Sequence, residues 1–335
     1  MHRGWAVGMV ALAVAPAWVK AQHRPLRPVS TYSIVARDSA TGEIGVAVQS
    51  HWFSVGPLVP WAEAGVGAVA TQSFIEPGYG PLGLELMRLG RTAPEALRAL
   101  VSTDADSLVR QVAMIDAEGR VAAHTGSRSI QAAGHRLGAQ YSTQANLMER
   151  PTVWDAMARA YETTSGDLAD RLLAALAAAE GEGGDIRGRQ SAALVVVRAK
   201  STGRPWVDRR FDLRVEDHPD PVGELSRLVR LARAYEHLNE GDAHVTRNDL
   251  GRALVSYGEA TTLVPDGATN GEAAFWTGVT LAGAGRVEEG LGYLVRAYRA
   301  DSRWAMLLRR LPAAGLLPAD SSLVERLVRG MGGGN

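Results

Sequence analysis

The chain changes periodicity once, at Asp217-His218-Pro219-Asp220-Pro221, and that change limits it to two kinds of structure joined in series. Ahead of it stand short apolar runs of strand length, separated by turn residues and by stretches of helical spacing. Beyond it, from Val222 onward, helical periodicity dominates. The division predicts a mixed α/β (α+β) domain over residues 31–220 and an all-α tail over residues 221–335. At 335 residues, each part can bury a core of its own.

Residues 32–37 and 44–50 flank a turn-like Asp38-Ser39-Ala40-Thr41-Gly42 and read as a hairpin. Residues 66–72 form a third apolar run, and helices are predicted near 80–89 and 94–101. A second hairpin, 109–116 with 120–124, turns at Ala117-Glu118-Gly119, and 136–144 reads as one further strand. Amphipathic helices follow at 153–162 and 167–180, then strands at 192–198 and 207–215. Strands in groups, rather than in strict alternation with helices, favour two sheets with helical layers outside.

The tail repeats itself. Gly241, Ala253, Tyr257 and Ala260 recur 37 residues later as Gly278, Gly290, Leu294 and Ala297. The small–aromatic–small spacing resembles the tetratricopeptide pattern, in which small residues let paired helices approach closely and whose period is about 34 residues. Gly290 stands where that pattern expects alanine, and Ser302 stands where the first copy has Pro265. Such a tail is expected to offer a docking surface to a protein partner.

Bulk chemistry removes several functions. Basic and acidic residues balance at 36 each, so no overall field favours nucleic acid or an anionic membrane. The absence of cysteine excludes thiolate nucleophiles, disulfides and Cys-ligated metals. The eight histidines include no His-x-x-x-His pair, and Gly65-Val66-Gly67 precedes a strand instead of opening a helix, so no metal or cofactor is assigned. At the N-terminus, Arg3, the apolar run 5–15 and Val19-Lys20-Ala21 have the layout of a secretory signal, residues 1–21. The run is too short to span a bilayer, so an exported chain with no stable membrane span is expected, with residues 22–30 as a linker carrying Pro25 and Pro28.

Thr31-Tyr32-Ser33-Ile34-Val35-Ala36-Arg37-Asp38 and Gly45-Val46-Ala47-Val48-Gln49-Ser50 resemble the opening of the domain of unknown function 1028 family. The resemblance continues through Gly65–Gln72, His124-Thr125-Gly126, Gln144-Ala145-Asn146, the run from Gly184 to Leu194 and Asp217–Pro221, and so covers about residues 31–225. Members of that family look like N-terminal-nucleophile hydrolases, which implies a four-layer αββα sandwich; the resemblance carries no substrate.

In such an enzyme a threonine at the chain start carries its own base. A free α-amine titrates near 8, so much of it is neutral near neutral pH and can take the hydroxyl proton. Thr31 matches the family's threonine and is the candidate nucleophile, with Asn146, and Gln72 behind it, as candidate donors to the oxyanion. Signal cleavage after Ala21 leaves Gln22 to Ser30 ahead of Thr31, so this route needs a second cut between Ser30 and Thr31. The competing readings are an ordinary strand residue at Thr31, or Ser30 as the nucleophile.

His124 is a candidate for orienting a substrate, and Asp185, Arg187 and Arg189 on the glycine-rich loop are candidates for gripping a carboxylate. An internal ion pair on a solvated loop is the alternative for the last three. Ser50 and His51 are placed after the second strand, with their direction open. Together these residues predict hydrolysis of a small amide outside the cytoplasm. A non-catalytic exported ligand-binding protein and a scaffold acting through its helical repeats are the rival readings.

Overall fold

The computed structural model describes residues 31–332. The expected signal peptide (residues 1–21) and the expected linker with Ser30 (residues 22–30) lie outside the described residues. Two antiparallel sheets are built from β1 (Thr31–Arg37), β2 (Ile44–Ser50), β3 (Pro60–Glu63), β4 (Gly67–Ser73), β5 (Arg110–Asp116), β6 (Val121–Thr125), β7 (Gly134–Gly138), β8 (Tyr141–Ala145), β9 (Ser191–Val197) and β10 (Arg209–Val215). One sheet has the order β10-β9-β2-β1-β8-β7, the other β3-β4-β5-β6.

The helices of this part are α1 (Tyr79–Arg88), α2 (Ala93–Thr103), α3 (Val153–Thr163), α4 (Leu168–Gly181) and the short α5 (Pro205–Asp208). Local chemistry sets several ends. The Asp38 carboxylate accepts the Ala40 and Thr41 amides at 2.8 Å each and so closes the β1–β2 hairpin. Thr92 and Glu95 form a reciprocal cap on α2, and Asp167 caps α4.

Period-two alternation gives each sheet two buried faces. Val35, Ile44, Val46 and Val48 face Ala68, Ala70, Ala113 and Ile115 across the gap between the sheets. The outer face of the six-stranded sheet packs Tyr32, Ile34, Leu194 and Phe211 against Met157, Leu172 and Leu176 of α3 and α4. The outer face of the smaller sheet packs Val69, Val112 and Met114 against Leu84, Met87 and Leu97 of α1 and α2.

Three local expectations change. Residues 136–144 are not one strand but the hairpin β7–β8, because Gln140 takes a left-handed φ of 60° and reverses the chain. The edge strand β3 goes unpredicted: it begins with Pro60, a residue tolerated at a strand start. The last strand begins at Arg209, behind a single helical turn led by Pro205.

The tail holds α6 (Pro221–Thr246), α7 (Leu250–Leu263), α8 (Glu272–Gly283), α9 (Val287–Ala300), α10 (Trp304–Leu308) and α11 (Ser321–Met331). α6 begins where the sequence changes character, with Asp220 as its cap and Pro221 in its first turn. Its first half nevertheless belongs to the sheet domain: Val222, Leu225 and Val229 complete the core against α4, β9 and β10. Its second half packs Leu238 against Ala253 and Tyr257 of α7. Arg233 of α6 also bonds Asp167 at 2.6 Å and Asp170 at 2.9 Å. The two repeat copies fall on the hairpins α6–α7 and α8–α9. No helix among the described residues is long and apolar enough to cross a membrane.

Candidate functional site

The space between the sheets is apolar at one end and polar at the other. On β1 the inward positions run Val35, Ser33, Thr31; on β4, Ala68, Ala70, Gln72; on β5, Ile115, Ala113, Gln111. Strand register stacks the polar members together, and Ser142, Gln144 and Asn146 join them from the β8 side. Thr31, Ser33, Gln72, Gln111, Gln144 and Asn146 are all fully buried. A buried amide must find partners, so the layer organises itself into a chain of hydrogen bonds.

Gln111 is its centre. Its Oε1 accepts Gln72 Nε2 at 2.7 Å and Asn146 Nδ2 at 2.9 Å. Its Nε2 donates to Thr125 Oγ1 at 2.9 Å and to the carbonyls of Ala145 and Gly134 at 2.9 and 3.1 Å. Ser33 Oγ donates to Gln72 Oε1 at 2.6 Å and accepts Gln144 Nε2 at 2.6 Å.

This layer holds the first residue of β1. The Thr31 carbonyl accepts the Asn146 amide N–H at 3.1 Å, Gln72 Nε2 at 3.1 Å and Asn146 Nδ2 at 3.4 Å. Its hydroxyl donates to Ser50 Oγ at 3.2 Å across the β1–β2 pair. Three of the sequence candidates, Thr31, Gln72 and Asn146, therefore meet. In this state the N–H groups of Gln72 and Asn146 are engaged on Thr31's own carbonyl and on Gln111. Asn146 Oδ1 is buried with no donor.

The remaining candidates are placed otherwise. His124 pairs with Val112, which faces α1 and α2, and its Nε2 lies 2.8 Å from the Ser107 carbonyl, so it does not join the Thr31 cluster. The histidine beside the layer is His135, whose Nδ1 is 2.8 Å from Thr125 Oγ1. Burial, with the neighbouring His124 second, holds His135 below the ordinary histidine range. The Asp185 carboxylate accepts the His51 amide at 3.2 Å, which brings the glycine-rich loop to the Ser50 end of β2. Arg187 forks onto Asp185 through Nε at 3.0 Å and Nη2 at 2.8 Å, and Arg189 pairs with Glu180, which also accepts the Tyr32 hydroxyl. Arg187 thus pairs within the loop and Arg189 with α4, and both contacts offset the positive charge expected to grip a carboxylate.

Fold and site together define a two-sheet α/β protein with a buried polar layer at the start of its first strand and a helical tail. The model of a family of unknown function, DUF1028, matches residues 31–225, and the chain belongs to that family. A crystal structure of a Silicibacter pomeroyi protein of the same family is 32% identical, with a TM-score of 0.55. The similarity covers 61% of this chain and 86% of that one. No curated protein matches the chain.

Proposed function

We propose that the protein is an N-terminal-nucleophile amide hydrolase, exported and then cut between Ser30 and Thr31, with Thr31 as nucleophile on a small amide. The observation that carries this reading is the place of Thr31: the first residue of β1, facing the polar end of the gap between two sheets whose outer faces are covered by helices. That layer order supports the αββα sandwich the resemblance implies.

With the α-amine freed, the amine takes the Thr31 hydroxyl proton as Oγ1 attacks the substrate carbonyl. The resulting ammonium gives a proton to the leaving nitrogen as the C–N bond breaks, and water then hydrolyses the Thr31 ester. Gln72 and Asn146 hold the nucleophile through its carbonyl. Of the two, Asn146 is the better oxyanion donor, because its 3.4 Å contact to that carbonyl is long and most easily exchanged. Its vacant Oδ1 supplies an acceptor for the α-ammonium. The tail, read as tetratricopeptide-like from its close-packed hairpins, serves as a docking module.

A β-lactone reagent tests the chemistry. Peptide mass analysis should find the acyl adduct on Thr31 of the processed protein and none on the Thr31→Ala variant. Labelling elsewhere, or none on protein that begins at Thr31, rejects the nucleophile. The second reading, non-catalytic ligand capture, predicts a mature chain that retains residues ahead of Thr31.

A further inference from the structure

A groove of about 710 Å³ lies between α6 and α8, with α7 beneath it, in the part of the chain beyond residue 225 where the family match ends. Helical spacing builds its walls: Asp242 and Val245 fall on one face of α6, and Glu272, Trp276 and Val279 fall on one face of α8. The buried Tyr257 of α7 forms the floor, and Leu316, from the segment between α10 and α11, extends the rim. That rim is apolar and open to solvent, with Val245 43% exposed and Leu316 55% exposed. Trp276 in the wall is half-buried.

The charge in the lining has one sign, that of Asp242 and Glu272. Asp242 accepts the Tyr257 hydroxyl at 2.6 Å and Glu272 accepts the Tyr235 hydroxyl at 2.9 Å, and among the described residues neither carboxylate has a cationic partner. A hydroxyl donor orients a carboxylate without neutralising it, so both negative charges remain in the groove. The arginines next to the lining residues in sequence are engaged elsewhere. Arg247 Nη2 lies 3.2 Å from His244 Nδ1, Arg252 pairs with Asp249 at 3.5 Å, and Arg286 pairs with Glu289 at 3.0 Å.

An open apolar wall marks an interaction surface, and charge of a single sign selects what it accepts. An acidic segment is repelled, and a purely apolar one would cover two carboxylates without pairing them. A segment that brings both apolar surface and positive charge meets neither cost. We propose that this groove docks a peptide segment of a protein partner, one that carries arginine or lysine beside an apolar residue. The cation pairs with Asp242 and Glu272, and its apolar neighbour packs on Trp276, Val245 and Leu316. A groove open along its rim suits a stretch of chain, which lays successive side chains into it. This assignment rests on the reading of the tail as a docking module, gives that module's partner a chemistry, and is independent of Thr31.

Panning a random peptide-display library against the full chain, followed by calorimetric titration of the selected peptides, tests this. The selected peptides should be enriched in arginine or lysine next to aliphatic or aromatic residues. They should bind the double variant Asp242→Asn, Glu272→Gln at least tenfold more weakly, and Leu316→Ser several-fold more weakly. Both carboxylate substitutions keep an acceptor for the tyrosine hydroxyl, so the double variant should unfold at the wild-type temperature; should it not fold, the single Glu272→Gln variant, at least threefold weaker, decides. Peptides that Leu316→Ser weakens but that are acidic or uncharged, or that the carboxylate variant binds as tightly as wild type, overturn the cationic partner and leave the docking module standing. Selection of no peptide that Leu316→Ser weakens overturns both.

Discussion

Gln111 carries more of the candidate site than any residue read from the sequence, because it accepts from both Gln72 and Asn146 and donates to three further oxygens. Gln111→Leu strands those partners in a buried layer, and each orphaned group costs about 1–3 kcal/mol. A loss on the order of 3 kcal/mol in denaturant unfolding is expected, and a change under about 0.5 kcal/mol, the usual surface range, would mean that the network reorganises around the gap. His135 adds a pH signature. Its folded value lies below the unfolded value of about 6.5, so as pH falls below that value the unfolded chain takes the proton first. Stability therefore drops as pH falls from about 6.5 through the folded value and levels off beneath it. His135→Gln should flatten that slope in unfolding curves measured across the window. Thr31, Gln72 and Asn146 were legible because they stand in recognisable runs. Gln111 was legible in principle: the alternation that turns Ile115 and Ala113 inward lands next on Gln111, just as Ala68 and Ala70 lead to Gln72. His124 misled because its strand turns it the other way, a parity that only pairing reveals.

The repeat in the tail was visible as spacing, but the backbone contact inside its second copy was not. Gly278 and Gly290 face one another so closely that a Cβ on Gly290 would meet the Gly278 carbonyl at 2.6 Å, and one on Gly278 would meet the Gly290 carbonyl at 2.8 Å. Glycine therefore stands where the repeat pattern expects alanine because the two backbones touch. Gly290→Ala should cost about 1–3 kcal/mol through overpacking. Gly292→Ala, on the same helix with open space around it, should gain up to about 1 kcal/mol from helix propensity. Thermal unfolding that ranks the two variants the other way would contradict close α8–α9 packing. The β7–β8 hairpin escaped the sequence for a related reason: a left-handed Gln140 carries none of the glycine or asparagine that usually marks such a turn.

Across the molecule, the change of periodicity at Pro221 marks a helix start but not a clean separation, since α6 is built into both parts. Truncation after Asp220 removes Val222, Leu225 and Val229 from the sheet domain's core, each contributing about 1.5–3 kcal/mol. Truncation after Arg247 keeps them. Expressed side by side, the shorter chain should be markedly less stable or insoluble and the longer one folded; equal stability would show that α6 is dispensable to the sheets. Intact-mass analysis of the protein purified from the cells that produce it, and from their medium, bears most directly on the central claim. The account predicts a mature chain whose first residue is Thr31, and a chain that uniformly begins at Gln22 would contradict it.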